Sequence, residues 1–301
     1  MNARRMRSGL SRVDTVTILA AILVFLLTMA LVIPLHRVAR FKAAQVTCRA
    51  NLARIGKAIG VYVGDYDEVL PVAGGPGTVW GPGLRDWKAG SRADAFGLDP
   101  NGAGGQATVS ASLCLLVKYA GLRPEMFICR PKRGIRVFLP ERYGIDANGL
   151  ADLWDFGPDP ARHCSYAYHL PYGPYRMTTS SEPGMPVVAD RNPWIDGPRQ
   201  KAATFSTFKP DIPPFGGTMG EGRQGNSRAH QTRQRSDGQN VLYLDGHVEF
   251  AQRAYCGIEE DNAYTSWDGR DRARGMPPKL YESQPAHQLD SLLVNDPPLG
   301  R

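Results

Sequence analysis

The sequence predicts an α+β fold in which one long N-terminal helix packs on a small antiparallel β-sheet. Three observations support this fold class. A charge-free apolar run occupies residues 15–35, helical periodicity continues to about residue 65, and short apolar segments between turn residues follow from residue 125 onward. The 33 glycines and 24 prolines among 301 residues favour a loop-rich head over a helical bundle.

The apolar run TVTILAAILVFLLTMALVIPL, residues 15–35, has the length of a membrane-spanning helix. At a rise of about 1.5 Å per residue it covers roughly the 30 Å hydrocarbon core of a bilayer. A cleaved secretory signal is the first alternative, but such signals are shorter and end in a small-residue cleavage site. A buried core helix is the second, but the rest of the chain is not apolar enough to surround it. We therefore expect a transmembrane helix.

The apolar run leads directly into an amphipathic segment, residues 36–66. Apolar side chains recur at steps of mostly three or four, and basic residues take other positions. Pro34 is expected to kink the helix rather than end it, because lipid offers no partners to exposed backbone groups. One helix is therefore predicted from about residue 13 to about residue 65, on the order of 75 Å long. The apolar positions are Leu35, Val38, Phe41, Cys48, Leu52, Ile55, Ile59 and Tyr62.

The chain is basic, with a formal charge of +7 and a pI near 9.2. No stretch interleaves basic with aromatic residues in a nucleic-acid-binding motif. Much of the positive charge flanks the apolar run, so we expect membrane lipid and not nucleic acid as a partner. The flanking basic residues are Arg4, Arg5, Arg7, Arg12, Arg37, Arg40 and Lys42.

The orientation of the helix follows from the size of the C-terminal part and not from charge, because both flanks are basic. Long domains translocate largely regardless of charge. We expect a single-pass protein of the inner (cytoplasmic) membrane, with a cytoplasmic N-terminus and an exported head.

Residues 67–275 are expected to form the loop-rich head, and residues 276–301 a C-terminal tail. The glycine-rich residues 72–107 predict a long loop. A helix is predicted over residues 109–120, closed by Gly121. Strands are predicted at 125–129, 164–170 and 185–190, and on both sides of Asp245-Gly246.

The Asp245-Gly246 pair between two alternating apolar segments is typical of a hairpin with a two-residue type I′ turn. That turn places Tyr243 opposite Val248 and Val241 opposite Phe250. The face with these four side chains is expected to pack on the amphipathic half of the long helix.

The five cysteines show no CxxC pair and no Cys/His spacing typical of zinc. Their odd number leaves at least one thiol unpaired within the monomer. An exported head permits two disulfides, whose connectivity the spacing leaves open. The cysteines are Cys48, Cys114, Cys129, Cys164 and Cys256.

Asp190, His230, Asp245 and His247 are the candidates for a polar site. Carboxylate and imidazole ligands suit Ca²⁺ or Zn²⁺. We favour the alternative, in which Asp245 is a turn residue that tolerates positive φ and His247 is a half-exposed strand residue. The chain has no GxSxG, HExxH or phosphate-binding glycine loop, so the sequence gives an enzyme no positive support.

The N-terminal segment RSGLSRVD resembles the leader of type IV prepilins. It has a basic leader (residues 1–9) that ends in Gly9, and an acidic residue, Asp14, five positions later at the start of the apolar helix. Prepilins usually have Phe and Glu where this chain has Leu10 and Asp14. The resemblance implies cleavage by a prepilin peptidase, a methylated mature terminus at Leu10, and pairing of Asp14 with the N-terminal amine of a neighbouring subunit.

Two further stretches carry the resemblance. Residues 48–71 resemble the post-membrane helix of prepilin-type proteins. GQNVLYLDGHVEF, between NSRAHQ and CGIEEDNAYT, resembles the His-then-Asp-Gly tail of prepilin-processing-associated bacterial proteins, and FICRP, SYAYHL and PVVADRNP match in the same order. Fourteen residues separate His230 from Asp245, where that group usually has nine. Residues 72–107 and the tail after residue 275 are not covered.

The resemblance implies a pilin-like fold, with residues 10–35 as the transmembrane half of the long helix and residues 36–66 as its amphipathic half. It also implies a disulfide between Cys48 and Cys129, which lie in well-matched segments of an exported chain. Some pseudopilins bind calcium in a late loop, and an acidic cluster occupies that region here, although consecutive acidic residues are commonly just solvated. The cluster consists of Glu259, Glu260 and Asp261.

We therefore predict a non-enzymatic, pseudopilin-like subunit of a type II secretion or type IV pilus-like assembly. Its partners are like subunits, other pseudopilins and a prepilin peptidase, and no cofactor is expected apart from the calcium candidate. The second hypothesis is a membrane-tethered binding or display protein that never polymerises. The third is a metal-dependent hydrolase that uses Asp190, His230 and His247.

Overall fold

The computed structural model describes residues 12–66, 68–129, 134–195, 205–232, 235–267 and 269–298. Gly9 and Leu10 lie outside these ranges, so their processing stays a prediction. The chain divides into two compact units, residues 1–43 and residues 44–301. The second unit contains the later part of the long helix and the residues that follow it.

Helix α1 runs Arg12–Asp65, with Pro34 inside it and Asp14 in its first turn. The predicted long helix is therefore present and continuous through the proline. Within α1, residues 12–36 are a stretch long and apolar enough to cross a membrane, the one such stretch in the described part of the chain. The most apolar part of this stretch has no buried residue.

In the second unit, α1 contributes one wall of the core. Cys48, Leu52 and Ile55 are fully buried there and pack in one cluster with the sheet residues Leu242 and Val248. At Gly56 a β-carbon would lie 2.9 Å from a methyl of Leu242. The missing side chain lets the helix approach the sheet closely, so a larger residue at this position would push the two apart.

The sheet has five antiparallel strands in the order β8-β7-β4-β3-β9. All residues of the three central strands are buried, as expected for strands covered on both faces. One face carries the cluster with α1, and the other carries a second cluster around Trp194, Tyr264 and Phe208. The strands are β3 Tyr166–His169, β4 Pro186–Asp190, β7 Gln239–Tyr243, β8 Val248–Ala251 and β9 Leu293–Val294. This mixed helix-and-sheet architecture confirms the coarse fold class.

The remaining elements are short. Helix α3, Val109–Ala120, starts after the N-cap Thr108 and ends at Gly121, which has a φ of 65°, as the sequence predicts. The other elements are β1 Val79–Trp80 paired in parallel with β2 Gln106–Ala107, α2 Arg92–Phe96, α4 Met219–Gly222, and β5 Gln231–Thr232 paired with β6 Arg235–Ser236. Short 3-10 helices occupy Pro124–Phe127, Pro140–Tyr143, Ala147–Asp152, Pro160–Arg162, Arg223–Gly225 and Ile258–Glu260.

Two local predictions are wrong. The segment 125–129 is not a strand, because Pro124 starts a 3-10 turn that ends at Phe127. The glycine-rich residues 72–107 are not one loop, since they contain β1, α2 and β2. In the C-terminal segment, β9 pairs with β3 at the edge of the sheet, and Leu292 is fully buried.

The hairpin around Asp245-Gly246 is present, but its predicted register is wrong by one residue. Leu242 lies opposite Val248, and the Tyr243 N–H donates to the His247 carbonyl at 3.0 Å. Residues 244–246 therefore form a three-residue loop, in which Gly246 has a positive φ of 87°. The backbone N–H groups of Leu244 and Asp245 donate to the carbonyls of Met185 and Pro183. These two hydrogen bonds to the residues just before β4 stabilise the wider loop. The local sequence pattern does not predict them, because their partners are distant in the sequence.

The two faces of β7 pack in the opposite sense to the prediction. Leu242 and Val248 belong to the cluster with α1, whereas Val241 and Tyr243 belong to the cluster on the other face. The prediction that Val241 and Tyr243 pack on the long helix is therefore wrong.

We expect Gly246→Val to lower the free energy of unfolding by about 1–3 kcal/mol, because a β-branched residue is strained at positive φ. A steric clash does not contribute to this loss of stability, since a β-carbon at Gly246 would meet no atom within 4 Å. Gly246→Asn is the matched control and should cost less than about 1 kcal/mol, because Asn tolerates this conformation. Equal losses for the two variants in chemical denaturation would contradict the observed turn.

Candidate functional site

A buried polar cluster forms where β4, β7 and the turn before β5 meet α1. Asp190 ends β4, and the pairing of Ala189 with Val241 brings its carboxylate beside Asn240 of β7. His230 lies in the turn that precedes β5. The exposed fractions of Asp190, His230 and Asn240 are 0 %, 1 % and 1 %. The site is therefore sealed from solvent.

A disulfide between Cys48 and Cys129 forms the wall of this cluster on the side of α1. The two α-carbons lie 4.7 Å apart, and the bond closes a separation of 81 residues. Next to it, the Asn51 side chain donates to the carbonyl of Ile128 at 3.0 Å. The structure thus pairs the two cysteines for which the prepilin resemblance implies a bond, and it fastens α1 to the head.

The polar atoms of the cluster converge on Asp190 Oδ2 and His230 Nε2. These two atoms lie 3.2 Å apart, and Cys129 Sγ lies 3.5 Å from the same nitrogen. Asn240 donates to Asp190 Oδ2 from its backbone N–H at 2.7 Å and from its side-chain amide at 3.3 Å. The amide nitrogen also lies 2.9 Å from His230 Nε2. Nε2 accepts from the Asn240 amide when the His230 proton is on Nδ1, and donates to Asp190 Oδ2 when the proton is on Nε2.

The surroundings fix these side chains but leave one oxygen unused. The Tyr264 hydroxyl donates to the Asp190 carbonyl at 2.7 Å, and the edge of the His230 ring faces Phe250 at 6.0 Å between centroids. Asp190 Oδ1 is buried and has no hydrogen-bond partner among the described residues. A buried carboxylate oxygen without a partner is costly.

Asp245 and His247 do not join this cluster. They form a local pair on the hairpin loop, where Asp245 Oδ1 accepts from the His247 N–H at 3.0 Å and lies 2.6 Å from its ring Nδ1. These contacts with His247 hold the pKa of Asp245 below its usual value. The His247 ring stacks on Tyr243 with centroids 4.3 Å apart. Both side chains are about half exposed, at 46 % and 50 %.

The ligand set Asp190, His230 and His247 is therefore not assembled. Asn240, beside Asp190, and Tyr243, beside His247, are three residues apart on β7, a separation of about 10 Å. The structure brings Asp190 and His230 together and leaves Asp245 and His247 at the opposite end of the strand. The hydrolase hypothesis built on these three residues loses its geometric basis.

The acidic cluster does not form a calcium site in the described part of the chain. Glu259 pairs with Arg272, whereas the Asp261 carboxylate accepts from the backbone N–H of Ser291 at 2.7 Å. Burial, and then the neighbouring Asp290, raise the pKa of Asp261 well above its usual value. Glu260 is exposed. One carboxylate faces an arginine and another is buried as a backbone acceptor, so they do not converge on one ion.

Cys114 and Cys164 have no feature of a reactive site. Cys114 and Cys164 are free and buried. Burial raises the pKa of Cys114 well above its usual value and that of Cys164 to about 12. Both thiols therefore stay protonated at neutral pH, and a protonated thiol is a poor nucleophile.

The sequence predicted some members of the buried cluster but missed Asn240 and the convergence with the disulfide. A polar residue inside the apolar run NVLYL is the signal that could have identified Asn240, because a buried strand accepts a polar side chain only with a partner. The cluster contains four residues of types that can bind a metal: Cys48, Cys129, Asp190 and His230. Each offers one ligand atom, and these four atoms all lie within 4.8 Å of one another. They are the one such group in the described residues.

Comparison of the chain with models of protein families, with curated proteins and with solved structures finds no match. The resemblance to prepilin-type proteins therefore depends on the motifs of the chain itself.

Proposed function

We propose that this chain is a non-enzymatic, pilin-like subunit that is anchored in the inner membrane by α1 and carries an exported head. The observation that supports this proposal best is the change of role along one helix. Residues 12–36 are apolar and exposed, whereas Cys48, Leu52 and Ile55 of the same helix are fully buried in the second unit. One helix thus offers an apolar surface to lipid or to like helices and also forms the spine of a folded head.

The disulfide supports export of the head. Disulfides persist in oxidising compartments such as the bacterial periplasm and are rare in the cytosol. The Cys48–Cys129 bond lies in the second unit, so the proposal places that unit outside the cytoplasm.

Assembly is the second part of the proposal. Exposed apolar side chains lie all around the first part of α1, for example Leu23, Leu26 and Leu27 at 57 %, 58 % and 61 %. A helix that is apolar all round is buried in lipid or among other helices. In the proposed assembly like helices cover this surface after extraction from the membrane, and Asp14 pairs with the N-terminal amine of a neighbouring subunit. A tethered display protein would use the same surface for lipid only.

A photocrosslinking amino acid at Leu27 tests this assembly in cells. The control carries the same crosslinker at Tyr175, which is 40 % exposed in the head. We expect dimers and higher multimers of the chain from position 27 and few from position 175. Adducts with lipid alone at position 27 would contradict assembly and favour the tethered display protein.

A further inference from the structure

We propose that the reduced chain has a tetrahedral Zn²⁺ site formed by Cys48, Cys129, His230 and Asp190, and that the disulfide and the metal exclude each other. The inference concerns the buried cluster and is independent of the pilin-like proposal. It assigns the four residues a ligand function that the oxidised structure does not use.

The distances within the cluster fit such a site. With Zn–ligand bonds of about 2.0–2.3 Å, neighbouring ligand atoms of a tetrahedral centre lie roughly 3.3–3.8 Å apart. The separation of His230 Nε2 from Asp190 Oδ2 is 3.2 Å, and from Cys129 Sγ it is 3.5 Å. All four ligand atoms lie within 4.8 Å of one another. The two sulfurs are bonded to each other, so they must separate before both can occupy corners of a tetrahedral centre.

The types of ligand residue also suit Zn²⁺. Two thiolates and an imidazole are ligands that Zn²⁺ prefers, and a carboxylate completes four-coordinate sites. With its proton on Nδ1, His230 offers the Nε2 lone pair to a metal in place of the Asn240 amide. Asp190 contributes a fully buried carboxylate whose Oδ1 has no hydrogen-bond partner among the described residues. Asn240 holds Asp190 Oδ2 through two donors, as residues around a metal commonly do for its ligands.

Reduction of the disulfide comes before binding of the metal. A phosphine reduces the disulfide with one water, which gives two thiols and the phosphine oxide. The thiols of Cys48 and Cys129 then bind Zn²⁺ as thiolates and release two protons. In the reverse direction, a disulfide oxidant takes two electrons from the two thiolates and two protons from water and leaves as two thiols, while the sulfurs of Cys48 and Cys129 join and Zn²⁺ is released. Sulfurs that share one covalent bond cannot both serve as thiolate ligands, so occupancy requires the reduced state.

Co²⁺ titration of the full chain in detergent tests this proposal. The chain is reduced with a phosphine in mild denaturant, freed of reductant, and refolded with Co²⁺. We expect one equivalent to bind, with thiolate-to-metal charge-transfer bands and the strong visible bands of tetrahedral Co²⁺. One equivalent of Zn²⁺ should then remove these bands. The oxidised chain should show neither.

Single variants assign the ligands. Cys129→Ser, His230→Gln and Asp190→Asn should each lose or shift the tetrahedral spectrum, while Asn240→Ser should weaken Zn²⁺ binding about tenfold as a change beside the ligands. The other three cysteines remain in every variant, so any binding by them cancels from the comparison. Circular dichroism of the oxidised His230→Gln and Asp190→Asn chains shows whether these variants fold.

Absence of tetrahedral thiolate bands in the refolded, reduced wild-type chain contradicts the site, whatever the variants do. A wild-type spectrum that survives unchanged in both His230→Gln and Cys129→Ser assigns the metal to other thiols. In either case the Asp190–His230 pair is a structural contact only.

Discussion

Replacing Cys48 and Cys129 together with alanine should lower the free energy of unfolding by about 2–5 kcal/mol under oxidising conditions. The bond links residues 81 positions apart, so without it the unfolded chain is no longer closed into a long loop and gains conformational entropy. Both cysteines are also at least 96 % buried, so the variant loses packing at the contact between α1 and the head. Chemical denaturation of the full chain in detergent measures the loss.

Cys164→Ala is the matched control for this variant. It removes a buried sulfur that forms no disulfide, so it should cost clearly less than the double variant. A double variant that is no less stable than this control would show that the Cys48–Cys129 bond does not restrain the chain.

Replacing Asp296 with alanine should cost about 3–5 kcal/mol, because it leaves three buried donors without their acceptor. The Asp296 carboxylate accepts from the Trp80 indole at 3.1 Å and from the backbone N–H groups of Val109 and Ser110 at 3.0 and 2.8 Å. It therefore caps the first turn of α3 from the C-terminal segment of the chain. Asp65→Ala, at an exposed carboxylate, is the control and should change stability by less than about 0.5 kcal/mol.

The same substitution should change the pH dependence of stability. Burial, and then the neighbouring Asp296, raise the pKa of Asp155 from 3.8 to about 7. Between these two values the native chain keeps a proton that the unfolded chain releases, so stability falls as the pH rises through this window. Removing Asp296 removes one cause of the shift, and the fall should become shallower. A steeper or unchanged fall in Asp296→Ala would contradict the coupling of the two carboxylates.

The elements that the sequence predicted are those with local causes. Helix α1 follows from apolar periodicity, α3 from its cap residues Thr108 and Gly121, and β3 and β4 from short apolar segments between turns. The register of the β7–β8 hairpin failed because Leu244 and Asp245 bond to the chain near β4. Strand β9 and the capping by Asp296 were missed for the same reason, since their partners lie more than 100 residues earlier in the chain.

The candidate site also depends on contacts between residues distant in the sequence, which the sequence patterns did not predict. Residue types singled out Asp190 and His230, and the prepilin resemblance paired Cys48 with Cys129. Neither source places these two pairs side by side, because their convergence depends on how α1 packs against the sheet. Asp245 and His247 were chosen for their side chains, but the direction of β7 separates them from Asp190.

The mature N-terminus of the protein, purified from the membrane, tests the pilin-like assignment most directly. The basic leader, Gly9 and the position of Asp14 predict a mature chain that begins at Leu10 with a methylated amine. Mass spectrometry of the N-terminal peptide gives both the residue and the modification. A terminus at Leu10 is the result that the account predicts. An intact Met1, or a terminus beyond residue 36 that removes the apolar helix, would contradict it.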